Sequence, residues 1–317
     1  MSSTDALLET NSGGTISTYI RNSLYLNAIR RIIKEKPLGL IGMVLFTIFL
    51  ILAVIGPWIA PYDPNALGTG PRLEGPQWGY PLGTDNLARD MWSRVLTGYR
   101  VSMSLGFIVV VTSTLLAVVL GVVSGFLGGW TDTILQRFVD AFIAFPGLVF
   151  LMVVQAIFYG FNIPFLPASG IMSSSGFTMM LALTLLVSIG NSRIMRGATL
   201  QIKSEVYVEA AASLGATQIR IMLKHILPNI MATALTIATL NLGGIILFEA
   251  TLSYLGLGLP PDVPTWGGML SREARNWMSQ APWLALGPGL ALSLAIFSIN
   301  VFGDALRDVL DPRLRGR

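Results

Sequence analysis

Residues 209–229 read EAAASLGATQIRIMLKHILPN, and the chain's organisation can be worked out from them. The stretch predicts two short helices on either side of a glycine. Ser204 stands where an N-cap belongs, and Glu205 and Glu209 fall near the positive end of a first helix over about Glu205–Leu214. Gly215 occupies the position just past that helix, where a positive φ is wanted. Thr217 then caps a second helix, in which Ile219, Met222, Leu223 and Ile226 recur at helical spacing and form one apolar stripe opposite Arg220 and Lys224. Pro228 marks the join to the next apolar run. Ala210, Ala211 and Ala212 keep the first helix narrow, which leaves two readings open. The helix inserts into a groove on another protein, or it lies on the membrane surface or under its own bundle.

The surroundings are hydrocarbon-like. Only 12% of residues are charged, against roughly 25% in a soluble domain, and mean hydropathy is +0.65. Apolar runs of about 18 residues or more read as membrane spans. Six are expected: Leu38–Ile59, Val101–Leu127, Thr133–Phe158 with Pro146 inside it, a weaker Phe177–Asn191, Ile230–Leu252 and Trp283–Gly303. With this topology 15 of the 21 Lys and Arg residues fall on one side, including the N-terminal arm (Arg21, Arg30, Arg31, Lys34, Lys36), the 193–228 loop and the C-terminal tail. The positive-inside rule then places both termini in the cytoplasm. The first 20 residues are polar and lack the apolar core of a signal peptide, and are read as a disordered tail.

The domain reading is therefore an arm over 1–36, a first span over 37–60, an external loop over 61–100, a core of five spans over 101–306 and a tail over 307–317. The external loop carries Pro61, Pro64, Pro71, Pro76 and Pro81, which suits ordered but irregular backbone. Its end, NLARDMWSRVLTGYR (86–100), puts Leu87, Met91, Trp92, Val95 and Leu96 on one face and Arg89, Asp90 and Arg94 on the other. That pattern predicts a helix lying at the membrane surface. Gly121 and Gly125 have the spacing that lets membrane helices approach closely.

Glu-Ala-Ala at 209–211, Gly215 and Leu227-Pro228 together resemble the EAA loop of permease subunits in bacterial ABC importers. His225 replaces the isoleucine usual two residues before that leucine, and the HILPN ending is similar to the peptide-importer branch. Four further stretches are similar to the C-type permease of dipeptide and oligopeptide importers: PLGTDNLARDMWSRVLTGYRVSMSLG (81–106), GGWTDTILQRFVDAFIAFPGL (128–148), LSYLGLGLPPDVPTWGGML (252–270) and NVFGDALRDVLDPRLR (300–315). Ala88 stands where a glycine is common and Tyr99 where a small residue is common.

The resemblance covers roughly residues 35–315 and implies an all-α membrane protein of the bacterial inner membrane, with six transmembrane helices in the type I ABC-importer permease fold. It implies a cytoplasmic coupling helix that docks on an ATPase, carried here by Glu205, Tyr207, Glu209, Ala210, Ala211, Leu214 and Gly215. It further implies as partners a homologous second permease, two ATP-binding subunits, an external substrate-binding protein, a dipeptide or oligopeptide, and membrane lipid, with no nucleic acid. ATP and magnesium belong to the partner subunits, since this chain has no GxxxxGK[ST] loop. Other permeases of the branch serve glutathione, nickel complexes or oligosaccharides.

Ionisable groups inside spans are functional suspects. Arg137 and Asp140, three residues apart, read as a structural pair; Asn241 and Glu249, eight apart on one helix face, either line the translocation path or bond between helices. No cysteine and a single histidine, His225, leave no catalytic or metal constellation, which argues against a membrane enzyme. A self-contained channel or secondary transporter would place more charge at mid-membrane and leaves the 209–229 element unexplained.

Overall fold

The computed structural model describes residues 36–167 and 169–310, and among these it is helical, with only two isolated β-bridges, Gln77 to Tyr80 and Thr84 to Asp90. Nearly all of the N-terminal arm, and the tail beyond residue 310, lie outside the described residues. In a bilayer every backbone polar group must be satisfied within the segment that crosses, which is why apolar runs take this form. The helices are α1 (Pro37–Ile59), α2 (Met91–Leu127), α3 (Gly129–Ile143), α4 (Gly147–Ile157), α5 (Ser174–Lys203), α6 (Val206–Ser213), α7 (Gln218–Ile221), α8 (Leu227–Tyr254), α9 (Trp266–Met269), α10 (Arg275–Trp277) and α11 (Trp283–Leu310).

Five segments are long and apolar enough to cross a membrane: α1, α2, α5, the continuous run Gln218–Tyr254, and α11. The sixth crossing is the pair α3 and α4, bent by 85° at the break holding Pro146. Proline lacks the N–H that would continue the helix, so the expected third span becomes two helices meeting almost at a right angle.

The largest departure from the sequence reading concerns residues 86–100. No separate surface helix forms there, because α2 begins at Met91 and runs unbroken for 37 residues, about 55 Å at 1.5 Å per residue. Its first turns stand beyond the roughly 30 Å hydrocarbon core and are packed on most sides, with Trp92 left exposed. The face that looked solvated is buried as well: Arg89, Asp90 and Arg94 are all less than a tenth exposed. The external loop folds over them and supplies partners for Arg89 and Arg94, while α2 itself supplies one for Asp90. Asp90 accepts from the Ser93 amide at 2.8 Å and caps α2. Asp85 takes the Arg89 Nε at 2.6 Å, and an Arg94 Nη donates to the Pro64 carbonyl at 3.0 Å. Charge alternation marked these residues as exposed because a sequence window does not show that a distant loop supplies carbonyls and carboxylates to pair with them.

The first and last helices meet: Lys36 Nζ, just before α1, lies 2.7 Å from Asp308 near the end of α11. Helices α2 and α5 approach closely at two glycines. A Cβ placed on Gly121 would lie 2.7 Å from the Arg196 backbone nitrogen, and one on Gly125 would lie 3.0 Å from the Arg196 carbonyl oxygen. The helices touch backbone to backbone, as small residues in membrane helices allow.

Gly121→Val should therefore force α2 off α5 and lower stability by about 1–3 kcal/mol, the usual cost of over-packing, read as a reduced thermal midpoint in detergent. Gly190→Ala inside α5, where an added Cβ meets nothing within 4 Å, should hold or slightly raise that midpoint.

Candidate functional site

The segment between α5 and α8 builds a small helical platform at the same end of the bundle as Lys36 and Asp308. The first of its two helices, α6, is capped by Glu205 in an extended conformation, with no side-chain cap bond. Ser204, expected to cap it, instead donates to the Gln201 carbonyl at 2.9 Å and finishes α5. Past the other end, Gly215 has φ +82°. Its amide bonds the Ala212 carbonyl at 2.9 Å and the Ala216 amide bonds the Ala211 carbonyl at 3.1 Å. These two bonds form a Schellman ending, which the left-handed conformation at glycine makes possible. Thr217 caps α7 through the Arg220 amide at 3.4 Å, as its position suggested.

The stripe expected on the second helix is rotated. Residues Met222–Ile226 form a π-helical turn between α7 and α8, which inserts extra backbone per turn and shifts the facing set. Ile221, Ile226 and Ile230, spaced by five and then four residues, are buried, whereas Ile219 and Leu223 are 65% and 59% exposed. Pro228, expected at a break, lies instead in the first turn of α8 within a continuous helix. The buried residues join Val208 of α6 to Val118, Val122 and Phe126 of α2 and Met195 of α5, so the platform is anchored on the ends of two spans.

Its outer surface combines apolar and acidic groups. Val206 is 79% and Leu214 89% exposed, and Glu205, Glu209 and Ala210 are exposed beside them, with Ala211 half-buried. Tyr207 is turned inward at its tip: its hydroxyl accepts from the Asn229 amide at 3.1 Å, and its ring lies 6.2 Å from that of His225. Tyr207 thus fastens α6 to the start of α8. An exposed apolar surface rimmed by polar groups is the mark of an interaction site.

Sequence reading missed the charged network beneath the platform. Asp132, in the first turn of α3, accepts from Arg196 Nε at 2.6 Å, from a second guanidinium nitrogen and from Ser124 Oγ at 2.5 Å. Gln136 donates to that same serine at 3.1 Å. Lys203, the last residue of α5, donates to the Phe126 carbonyl at 2.7 Å and lies over the Phe126 ring. A cation there satisfies an orphan carbonyl at the negative end of α2. Arg196 was visible only as one of many charges that set sidedness, because its partner is 64 residues away.

Asp140 also has a different main partner from the one expected. Arg137 comes no closer than 3.9 Å, whereas Arg193 on α5 hydrogen-bonds Asp140 directly. Arg137 is mostly exposed. Glu249 on α8 is wholly buried within the chain's own packing. The Ser253 hydroxyl donates to it at 2.8 Å, the Ser102 hydroxyl of α2 lies at 3.4 Å, and the Thr265 hydroxyl also bonds it. Asn241, on the same helix, is half-buried. Among the described residues no group of three or more His, Cys, Asp or Glu is placed to hold a metal.

Residues 117–316 match the family model described as binding-protein-dependent transport system inner membrane component. Residues 25–76 match the N-terminal transmembrane domain of oligopeptide transport permease C. Curated relatives agree along nearly the whole chain. An oligopeptide transport system permease protein of Bacillus subtilis is 35% identical over 92% of this chain and 91% of its own length. A glutathione transport system permease protein of Pectobacterium atrosepticum is 36% identical over 86% of each. A dipeptide transport system permease protein of Alkalihalophilus pseudofirmus is 31% identical over 97% and 96%.

A double-mutant cycle with Asp132→Ala and Arg196→Ala tests the network. The two residues should couple by about 0.5–3 kcal/mol in detergent unfolding, while Arg137→Ala paired with Asp140→Ala should couple less than Arg193→Ala with Asp140→Ala.

Proposed function

The chain belongs to the family of binding-protein-dependent transport system inner membrane components, multi-pass proteins of the inner membrane, and on that premise we propose that it is one permease of an ATP-driven importer of dipeptides or oligopeptides. Its platform would be the docking element for an ATP-binding subunit. The observation that carries this reading is the exposed set of Val206, Leu214, Ile219 and Leu223 beside Glu205 and Glu209, held on a rigidly anchored helix pair. A helix pair packed wholly under its own bundle would leave less of this apolar surface exposed. The peptide substrate is drawn from the named relatives, among which oligopeptide and dipeptide permeases recur; glutathione is the second reading, favoured by one of them.

The remaining partners follow from such an importer: a homologous second permease, two ATPase subunits that hold ATP and magnesium, and an external binding protein that presents the peptide. The platform and both termini would face the cytoplasm, in line with the weight of Lys and Arg on that side. This chain contributes half of the pathway and none of the hydrolysis. Coupling then requires that ATP favour one permease state over the other; moving a 1:99 balance to 99:1 takes about 5.5 kcal/mol of differential binding. Glu209, at the positive end of α6, is suited to a basic group on the ATPase. Gly215 sets the angle of the docking edge. The three hydroxyls around Glu249 support the role of a tie between α2, α8 and the start of α9 over that of a peptide contact, while Asn241 is assigned to the pathway. Arg137 and Asp140 are assigned a structural role, together with Arg193.

The test is co-purification of a tagged chain from native membranes in mild detergent. The wild type should bring a second permease and two ATPases. Glu209→Ala combined with Gly215→Pro should keep the permease and lose the ATPases, since proline is fixed near φ −65° and does not adopt the +82° seen here. Leu214→Ala alone should weaken ATPase retention about tenfold or more, as a buried hot-spot side chain does. A chain that comes down alone, or ATPases that stay with the double variant, would sink the docking assignment.

A further inference from the structure

At the end of the bundle opposite the platform, α1 and α2 leave between them a groove of about 500 Å³. Its lining is Leu50, Ala53, Val54 and Trp58 of α1 with Arg100, Met103, Ser104 and Phe107 of α2. The groove opens sideways, toward where the bilayer must lie. Of the 23 residues of α1 only Gly39, Gly42, Phe49 and Gly56 are buried, so most of this helix faces hydrocarbon.

The groove runs from Trp58 to Leu50 along α1 and from Arg100 to Phe107 along α2, about 10–12 Å at 1.5 Å per residue. Trp58, near the last turn of α1, is 75% exposed, and exposed tryptophan at a span's end marks the headgroup level. Arg100 lines the same mouth and is therefore at that level. It is exposed, and among the described residues it has no hydrogen bond or ion pair. Below it the walls are apolar apart from the Ser104 hydroxyl. A guanidinium at the rim of an apolar slot matches a molecule with an anionic head and a hydrocarbon tail. A free phosphate ion would leave the slot unfilled, and a zwitterionic headgroup would find no carboxylate in the lining for its ammonium.

We propose that this groove holds one anionic phospholipid, with the phosphate on Arg100 and an acyl chain along Ala53, Met103 and Phe107. The planar fork of arginine takes two phosphate oxygens at once. The lipid would fill the seam between the first span and the core and so hold α1 against α2. This proposal does not depend on the platform binding an ATPase, so either can fail without the other.

The test places a photo-reactive p-benzoyl-phenylalanine at Val54, on the exposed edge of the groove, in the assembled transporter reconstituted in nanodiscs. The discs contain phosphatidylglycerol or phosphatidylcholine, and the mass of the adduct is read. Phosphatidylglycerol should label the chain. Arg100→Gln should cut that labelling about tenfold or more, the weight of a hydrogen bond to a charged group, and Arg100→Lys should restore much of it. Phosphatidylcholine should label weakly and without regard to residue 100. Arg100 is exposed, so its variants are expected to fold, and co-elution of the other subunits verifies this. Labelling that ignores both Arg100 and the headgroup, a cross-link to another polypeptide, or no adduct overturns the proposal.

Discussion

Gly121 and Gly125 bring α2 against the backbone of α5, and the cytoplasmic end of the molecule is organised around that approach. With a side chain at either position the helix axes would separate, and Arg196 would leave the reach of Asp132. The same contact places Met195 against Val118 and Val122, forming the apolar bed on which Val208, Ile221 and Ile226 rest. Close packing of small residues is a main source of attraction between helices in hydrocarbon, where burial of apolar area gains nothing over contact with lipid. The charges then do local work: Arg196 ties α3 to α5, and Lys203 closes the end of α2.

The outer end of the molecule is built differently. There α2 emerges from the hydrocarbon layer and the loop of residues 60–90 wraps its first turns, burying Asp85, Arg89, Asp90 and Arg94 in mutual and backbone hydrogen bonds. Buried charges are costly unless paired. Most of this set is paired by loop carbonyls and side chains drawn from 30 residues away or less, while Asp90 Oδ1 has no hydrogen-bond partner among the described residues. Trp266 inserts against Gly98 and edge-on to Tyr99, adding α9 and the turn that follows α8 to the same core. The two ends are thus held by different means, glycine packing inside and a polar, aromatic crust outside.

Much of this was legible in the sequence, and the failures share a cause. Long apolar runs specify helices because the bilayer removes every alternative, so the spans were read in the right places. Helices that continue into polar sequence, α2 from Met91 and α5 to Lys203, were read about ten residues short at one end. Gly215 was read correctly because its role is local and conformational. The misreadings came wherever a residue's environment is set by a distant partner or by a change of helical pitch. Arg94 looked solvated until Pro64 supplied a carbonyl. Asp140 looked paired to its neighbour Arg137 until α5 brought Arg193 beside it. Ile219 and Leu223 looked like core positions under a uniform period of 3.6; the π-helical turn brings Ile221 there instead, beside Ile226, which the expected stripe already held.

That turn leaves residues 218–254 as one rod, α7 through α8, without a break at Pro228. Asn300 of α11 packs against the bare Cα of Gly243, where an added Cβ would come within 2.6 Å of its side-chain oxygen, and this crossing is a natural fulcrum. From Gly243 the rod extends about 38 Å toward the platform and about 16 Å the other way, at 1.5 Å per residue. A first-class lever of those arms reverses the direction of any push and shortens it by rather more than half. A 5 Å shift imposed on the platform would reach the outer rim as about 2 Å in the opposite sense by that same geometry. Closing one side and opening the other would then be a single mechanical event, with no separate signal needed to travel between them.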